Sequence, residues 1–308
     1  MKRKTVFCIG AALVDEIYHS VDQPVVGSSN PSSYVKTPGG VARNIAHHLA
    51  LLGDSVELIS HFGNDPDGDW LMKKCSESGI GISHSLINTT HTGKFAAFIA
   101  PEGELITGAV STHFEELITP EFLQSKAPLL KEASVVLFDC NLSVESMQWL
   151  TLFCQEQKIP YIIEPVSVTK AERLLQVDIQ NTLLITPNEI EMAKLSVGSN
   201  DLSAEILIGN ILKKGVHYVW VRKGKAGSVL HTTNNQFVLK APSIKVMDST
   251  GAGDAALAGW IHAWLMSKHP EDCVRYGHAL ASLVLQVKGA ILEKADSKTL
   301  QQIINAEN

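Results

Sequence analysis

The clearest chemical signal in this chain is the run Asp248-Ser249-Thr250-Gly251-Ala252-Gly253-Asp254, followed by Ala255-Ala256-Leu257-Ala258-Gly259. Small residues at 251–253 let the backbone come close to a ligand. A helix starting there aims its unsatisfied N–H groups and positive dipole end at the same point, which suits a phosphate. A carboxylate in that first turn repels an anion, so phosphate binding alone does not account for Asp254. It fits a base that takes the proton of an attacking hydroxyl while the amides hold the transferring phosphoryl group. The same residues also read as an acid capping a helix after a Gly-rich turn.

Other chemistries lack their patterns. The chain has no G-x-x-x-x-G-K-[ST], no G-x-G-x-x-G after its first apolar segment, no H-E-x-x-H and no G-x-S-x-G. That argues against a P-loop enzyme, a dinucleotide dehydrogenase, a zincin and an α/β-hydrolase. A formal net charge of −6 leaves no excess of basic residues to coat a nucleic acid. Cys8, Cys75, Cys140, Cys154 and Cys273 are scattered and form no C-x-x-C pair, so buried, reduced thiols of a cytoplasmic protein are expected. Met1-Lys2-Arg3-Lys4 begins like a signal peptide, but Asp15 and Glu16 break the apolar stretch behind it. No apolar run reaches the roughly 18 residues of a membrane span.

The elements that must position Asp254 follow from the hydrophobic pattern. Thr5–Ala12, Ser55–Ser60, Ser134–Asp139, Pro160–Glu164, Thr182–Thr186 and Tyr218–Val221 read as buried strands. Val41–Leu52, Asp69–Ser78, Val144–Glu156 and Ala204–Lys214 read as helices between them, and Asp254–Met266 and Glu271–Lys288 as long apolar helices. This alternation predicts an α/β fold: a mostly parallel central sheet between helical layers, in one domain spanning 1–308. Two segments break the rhythm. Residues 16–38 hold strand-like pieces and four prolines or glycines but no helical period. Residues 91–112 read as a hairpin around Pro101-Glu102-Gly103. Paired, they would form a small β-sheet lid over the strand ends.

The heptapeptide resembles the carboxyl-terminal signature of the ribokinase-like (PfkB) family of carbohydrate and nucleoside kinases. The amino-terminal signature is similar too, in Thr37-Pro38-Gly39-Gly40-Val41-Ala42-Arg43-Asn44-Ile45-Ala46 and Gly63-Asn64-Asp65-Pro66-Asp67-Gly68. The resemblance runs over the whole chain and implies a Rossmann-type three-layer domain. It implies that Asp254 is the base and that Gly251, Ala252 and Gly253 form the anion hole. Asp15, Gly39, Gly40 and Asn44 match positions that bind the acceptor. Asn188 and Glu191 match the N-x-x-E motif that governs Mg²⁺ through its waters. Arg222, Gly224, Gly227 and His278 fall on the ATP side. Asp248 and Thr250, with Lys288-Gly289-Ala290, match a monovalent cation loop, here for K⁺. Two residues depart from the pattern: many members have Thr at Arg222, and Asp is expected at Glu164. Within the family, Ser29-Asn30-Pro31, Asp139-Cys140-Asn141-Leu142-Ser143 and Pro165-Val166-Ser167 look most like the pseudouridine kinases. That implies a 5′-hydroxyl acceptor, with the base read by lid residues such as Asn30, Ser32, Lys36, Thr92, Lys94 and Thr107, and a homodimer through the lid. Another sugar or nucleoside kinase, or an inactive sugar-binding regulator, stays open.

Overall fold

A computed structural model describes residues 5–198 and 202–307. Its strands are β1 (Thr5–Ile9), β2 (Leu13–Ser20), β3 (Ser32–Gly39), β4 (Ser55–Ile59), β5 (His61–Gly63), β6 (Leu86–Asn88), β7 (Lys94–Ile99), β8 (Leu105–Ser111), β9 (Ala133–Asp139), β10 (Tyr161–Glu164), β11 (Leu184–Ile185), β12 (Tyr218–Arg222), β13 (Ser228–His231) and β14 (Gln236–Leu239). Eight form one sheet in the order β14-β13-β12-β11-β10-β9-β1-β4. Six of these, β4 through β12 in that order, run parallel, and β13 and β14 return antiparallel. Successive side chains point to opposite faces of a strand, and in β1 both faces are buried. Val6 and Cys8 pack into a core with the helices Val41–Leu51, Ala252–Leu265 and Pro270–Val284. Phe7 and Ile9 pack into a second core with the helices Val144–Gln157 and Ala204–Lys213. The expected α/β fold with helices on both faces is what forms.

The segments without helical period make a separate four-stranded sheet, β3-β2-β7-β8. β7 and β8 pair antiparallel around the turn at Pro101-Glu102-Gly103. The expected strand Thr5–Ala12 stops at Ile9, because Gly10–Ala12 carry the chain from the large sheet into the small one. A buried carboxylate fixes that crossing. Asp139, at the end of β9, accepts from the backbone N–H of Ala11 at 3.0 Å, of Ala42 at 3.1 Å and of Asn141 at 3.0 Å. It thereby ties the end of β1 to the start of the Val41–Leu51 helix, which carries Asn44.

Arg222 ends β12, and residues 223–227 turn the chain into antiparallel β13. The helix expected to run to Lys288 ends at Val284, and a further helix, Ser297–Glu307, follows. The short pair β5–β6 was not anticipated. All five cysteines are free and buried.

Candidate active site

Gly251 caps the helix Ala252–Leu265 with φ 73°, a left-handed conformation that glycine adopts without a Cβ penalty. A Cβ there would collide with the backbone of Ala290. The turn leaves the amides of Gly253 and Asp254 without a protein acceptor among the described residues, while Ala252 N–H makes only a 3.4 Å bond to the Ser249 carbonyl. These amides face a cavity of about 780 Å³ lined by Ala252, Gly253 and Asp254. Burial pushes the Asp254 carboxyl up to about 7. Glu164 adds to the rise, while Asn44, Arg222 and Arg43 oppose it.

Asn44, Gly39 and Asp15 form a chain of contacts that ends on Asp254, and none of them lines the cavity. Asn44 Nδ2 donates to Asp254 Oδ2 at 2.8 Å. Arg43 holds the amide in that sense: its Nη2 donates to Asn44 Oδ1 and its Nε to the Gly39 carbonyl at 3.1 Å. Arg43 is fully buried, with Nη1 unpartnered among the described residues. Sequence reasoning missed it, although Arg at this point of the signature was visible. Gly39 lies so close to the Asp15 carboxylate that a Cβ would overlap it. Burial raises Asp15 to about 6, against the pull of Arg43. Gly40 caps the helix Val41–Leu51 against the Ala11 carbonyl.

The ATP-side expectations converge on the same cavity: Asn188, Glu191, Arg222, Gly224, Gly227 and His278 all line it. Asn188 and Glu191 form a reciprocal capping box. The Asn188 N–H donates to Glu191 Oε2 at 2.9 Å, and the Glu191 N–H to Asn188 Oδ1 at 2.8 Å. His278 is 2.8 Å from Ser228 Oγ and stacks on Trp220, and burial pulls its pKa down to about 4, so it is neutral at pH 7. Asp248 accepts from Thr250 and Gly289 N–H groups, both at 2.9 Å, which joins the 248–250 turn to the 288–290 loop.

Among the polar lid candidates, Asn30, Thr92, Lys36 and Lys94 already have partners within the protein. Asn30 closes its own loop onto Val25 and Ser28. Thr92 is buried against Asp65 and Gly63. Lys36 and Lys94 both pair with Asp67 at 2.5 Å, and Lys94 also with Glu16 at 3.3 Å. Asp15 sits in register with Thr37 and Phe95, whereas Glu16 sits with Lys36. Alternation therefore puts Lys36 and Lys94 on the Glu16 face. The Asp15 face carries Ile17, Val35, Thr37, Phe95 and Val110 instead.

If Asp254 must be ionised to act, kcat/KM should fall tenfold per unit of pH below an acid limb near 7. Because Asn44 lowers that value, Asn44→Ala should move the limb to higher pH. A pH–rate profile flat from 6 to 8 would remove Asp254 from the titrating step.

A parallel sheet between helical layers, with a small sheet over its end and a helix-capped anion turn, defines a ribokinase-like fold. The Arabidopsis thaliana ribokinase solved with ribose and ATP superimposes with a TM-score of 0.83 at 21% identity, covering 99% of both chains. The Methanocaldococcus jannaschii nucleoside kinase gives 0.82 at 23%, also covering 99% of both. Residues 3–297 match the pfkB family of carbohydrate kinases, and this chain belongs to that family. An uncharacterized sugar kinase of Escherichia coli K12, YeiI, is 30% identical over 83% of this chain and 71% of its own. The pseudouridine kinase of the same organism is 28% identical over 91% and 90%. The chain is thus an ATP-dependent phosphotransferase with an alcohol group as acceptor. No helix among the described residues is long and apolar enough to cross a membrane.

Proposed function

We propose that this enzyme transfers the γ-phosphoryl group of ATP to the 5′-hydroxyl of pseudouridine, giving pseudouridine 5′-phosphate and ADP. The observation that carries the reading is the place of Asp254. It stands between a cavity large enough for a nucleotide and the Asn44–Gly39–Asp15 cluster, and touches Asn44 directly. Asp15, Gly39, Gly40 and Asn44 hold the ribose. Asp254 takes the proton of the 5′-hydroxyl, and the Gly251-Ala252-Gly253 turn receives the phosphoryl charge, chiefly on the free amides of Gly253 and Asp254. Glu191 spends one oxygen on the capping box, and Oε1 carries no hydrogen bond among the described residues. An all-oxygen donor on the cavity wall suits Mg²⁺ held through water, with Asn188 bracing it. When bound, Mg²⁺ would neutralise phosphate charge. Asp248 and Thr250 are assigned to a K⁺ site beside the 288–290 loop. Apolar residues exposed at the edge strand β8, Leu105 and Ile106, support a homodimer through the small sheet.

Phe95 on the Asp15 face of the small sheet supports recognition of the base by stacking. Phe95 offers a ring in register with Asp15, and base–aromatic stacking is worth about 1–3 kcal/mol. Pseudouridine is therefore expected to exceed free ribose in kcat/KM by roughly 10-fold or more, and Phe95→Ala to narrow that gap. The test is a panel of pseudouridine, uridine, adenosine, ribose and fructose with ATP and Mg²⁺. Equal use of ribose and pseudouridine would reject the base as part of the substrate and leave a sugar kinase.

A further inference from the structure

The two departures from the family pattern, Glu164 and Arg222, stand 58 residues apart in sequence and form one unit in space. Arg222 Nη2 donates to Glu164 Oε1 at 2.9 Å and to the Thr186 carbonyl at 2.5 Å. Thr186 Oγ1 donates to the other Glu164 oxygen. Both carboxylate oxygens and one guanidinium nitrogen are thereby fixed. Nη1 donates to no acceptor among the described residues and lies against Gly253, where it is the first atom a Cβ on that glycine would meet. Gly253 and Asp254, whose amides have no backbone acceptor among the described residues, line the same cavity as Arg222. Hydrogen-bond donors from two elements thus converge on one corner of the cavity, and none of these donors is taken up by an acceptor among the described residues. Such a corner is built for an anion.

We propose that Arg222 is a further catalytic residue, whose Nη1 binds the γ-phosphoryl group during transfer, and that Glu164 is the residue that positions it. The inference rests on ATP-dependent phosphoryl transfer and not on which alcohol is phosphorylated. In the step, the acceptor oxygen bonds to the γ-phosphorus and its proton goes to Asp254. The bond from the γ-phosphorus to the bridging oxygen breaks, and ADP leaves with the electron pair. Charge builds on the three peripheral phosphoryl oxygens. The amides meet it from the helix end, and Arg222 from the β12 end. The tether to Glu164 answers a specific difficulty. A guanidinium loose beside Asp254 would pair with it and hold it acidic, disabling the base. Glu164 takes the strong bonds of Arg222, and its own charge keeps Asp254 basic. The other charged groups facing this corner are Glu191 and Arg43.

The test compares wild type with Arg222→Met, Arg222→Lys and Glu164→Gln in the full chain. It measures steady-state kinetics, pH profiles and calorimetric binding of Mg·ADP and Mg·AMP-PNP without acceptor. Arg222→Met should lower kcat about 10²-fold or more, the scale of losing one preorganised donor to a developing anion. It should weaken AMP-PNP, which carries a γ-group, at least tenfold, and leave ADP nearly unchanged. Glu164→Gln should move the acid limb of kcat to lower pH, because Asp254 loses an anionic neighbour and gains a freer cation, and it should weaken AMP-PNP more than ADP, which a purely structural ion pair would not do. If Arg222→Met does not fold, Arg222→Lys gives the same reading, since it keeps charge near Glu164 but removes Nη1. Equal loss of ADP and AMP-PNP affinity, or unchanged kcat in a folded Arg222 variant, would overturn the proposal. Nucleotide binding does not depend on the acceptor, so a wrong acceptor assignment leaves this test intact.

Discussion

Asp254→Asn is expected to lower kcat by about 10²-fold or more, with little change in either KM. The substitution keeps the shape of the side chain, and its amide oxygen can still accept the 2.8 Å bond from Asn44. Gly251 still caps the helix, and the backbone amides of Gly253 and of the substituted position still face the cavity. The group lost is the one able to accept the acceptor's proton. The acid limb near pH 7 should vanish with it, because the titrating carboxyl is gone. Steady-state kinetics at saturating ATP, together with a pH profile of the residual rate, checks both points. Near wild-type turnover would remove Asp254 as the base and return it to a helix-capping role.

The anion turn was legible in the sequence because it is local. Small residues, a helix start and an acid within seven positions specify their own geometry. The parallel sheet was legible because its strands are buried on both faces and stand out as continuous apolar runs between helices. What was not legible depends on pairing across the chain. Nothing in the sequence joins Glu164 to Arg222, or Asp139 to Ala11 and Ala42; only the strand order brings them together. The small sheet itself formed as expected, but which of its residues face the site was not legible, for a related reason. Its polar residues were candidates by type, but register decides which face each occupies. Lys36, one position from Thr37, points to the Glu16 side. Arg43 was written in the signature, yet its role lies in holding Asn44, which only the packed helix start reveals. The Asn188–Glu191 pair shows the converse: a four-residue motif that is a functional candidate and a complete capping box at once.

Asp15→Ala should raise KM for the phosphate acceptor by roughly 10- to 150-fold and leave KM for ATP little changed. The range corresponds to losing a charged hydrogen-bonding partner, about 1.5–3 kcal/mol. Asp15 lies near the start of the small sheet, beside Gly39, and is not among the residues lining the nucleotide-sized cavity. The variant should also fold. Burial raises Asp15 from 3.8 to about 6, so the folded state prefers its proton. The stabilisation is complete below the ordinary value and is lost as pH rises through 6, leaving nothing from this titration to forfeit at neutral pH. A second signature follows from the same shift. In the natural enzyme, acceptor KM should climb as pH falls through about 6, because a protonated Asp15 is a weaker acceptor for sugar hydroxyls. In Asp15→Ala that climb should disappear, while the limb near 7 from Asp254 stays. Asp15→Asn, which keeps one acceptor oxygen, should recover part of the affinity and show no climb either. Initial rates over an acceptor-by-ATP grid at pH 5.5 to 8 separate the two KM values. Equal damage to both, or a KM climb that survives in the alanine variant, would place Asp15 outside the acceptor site.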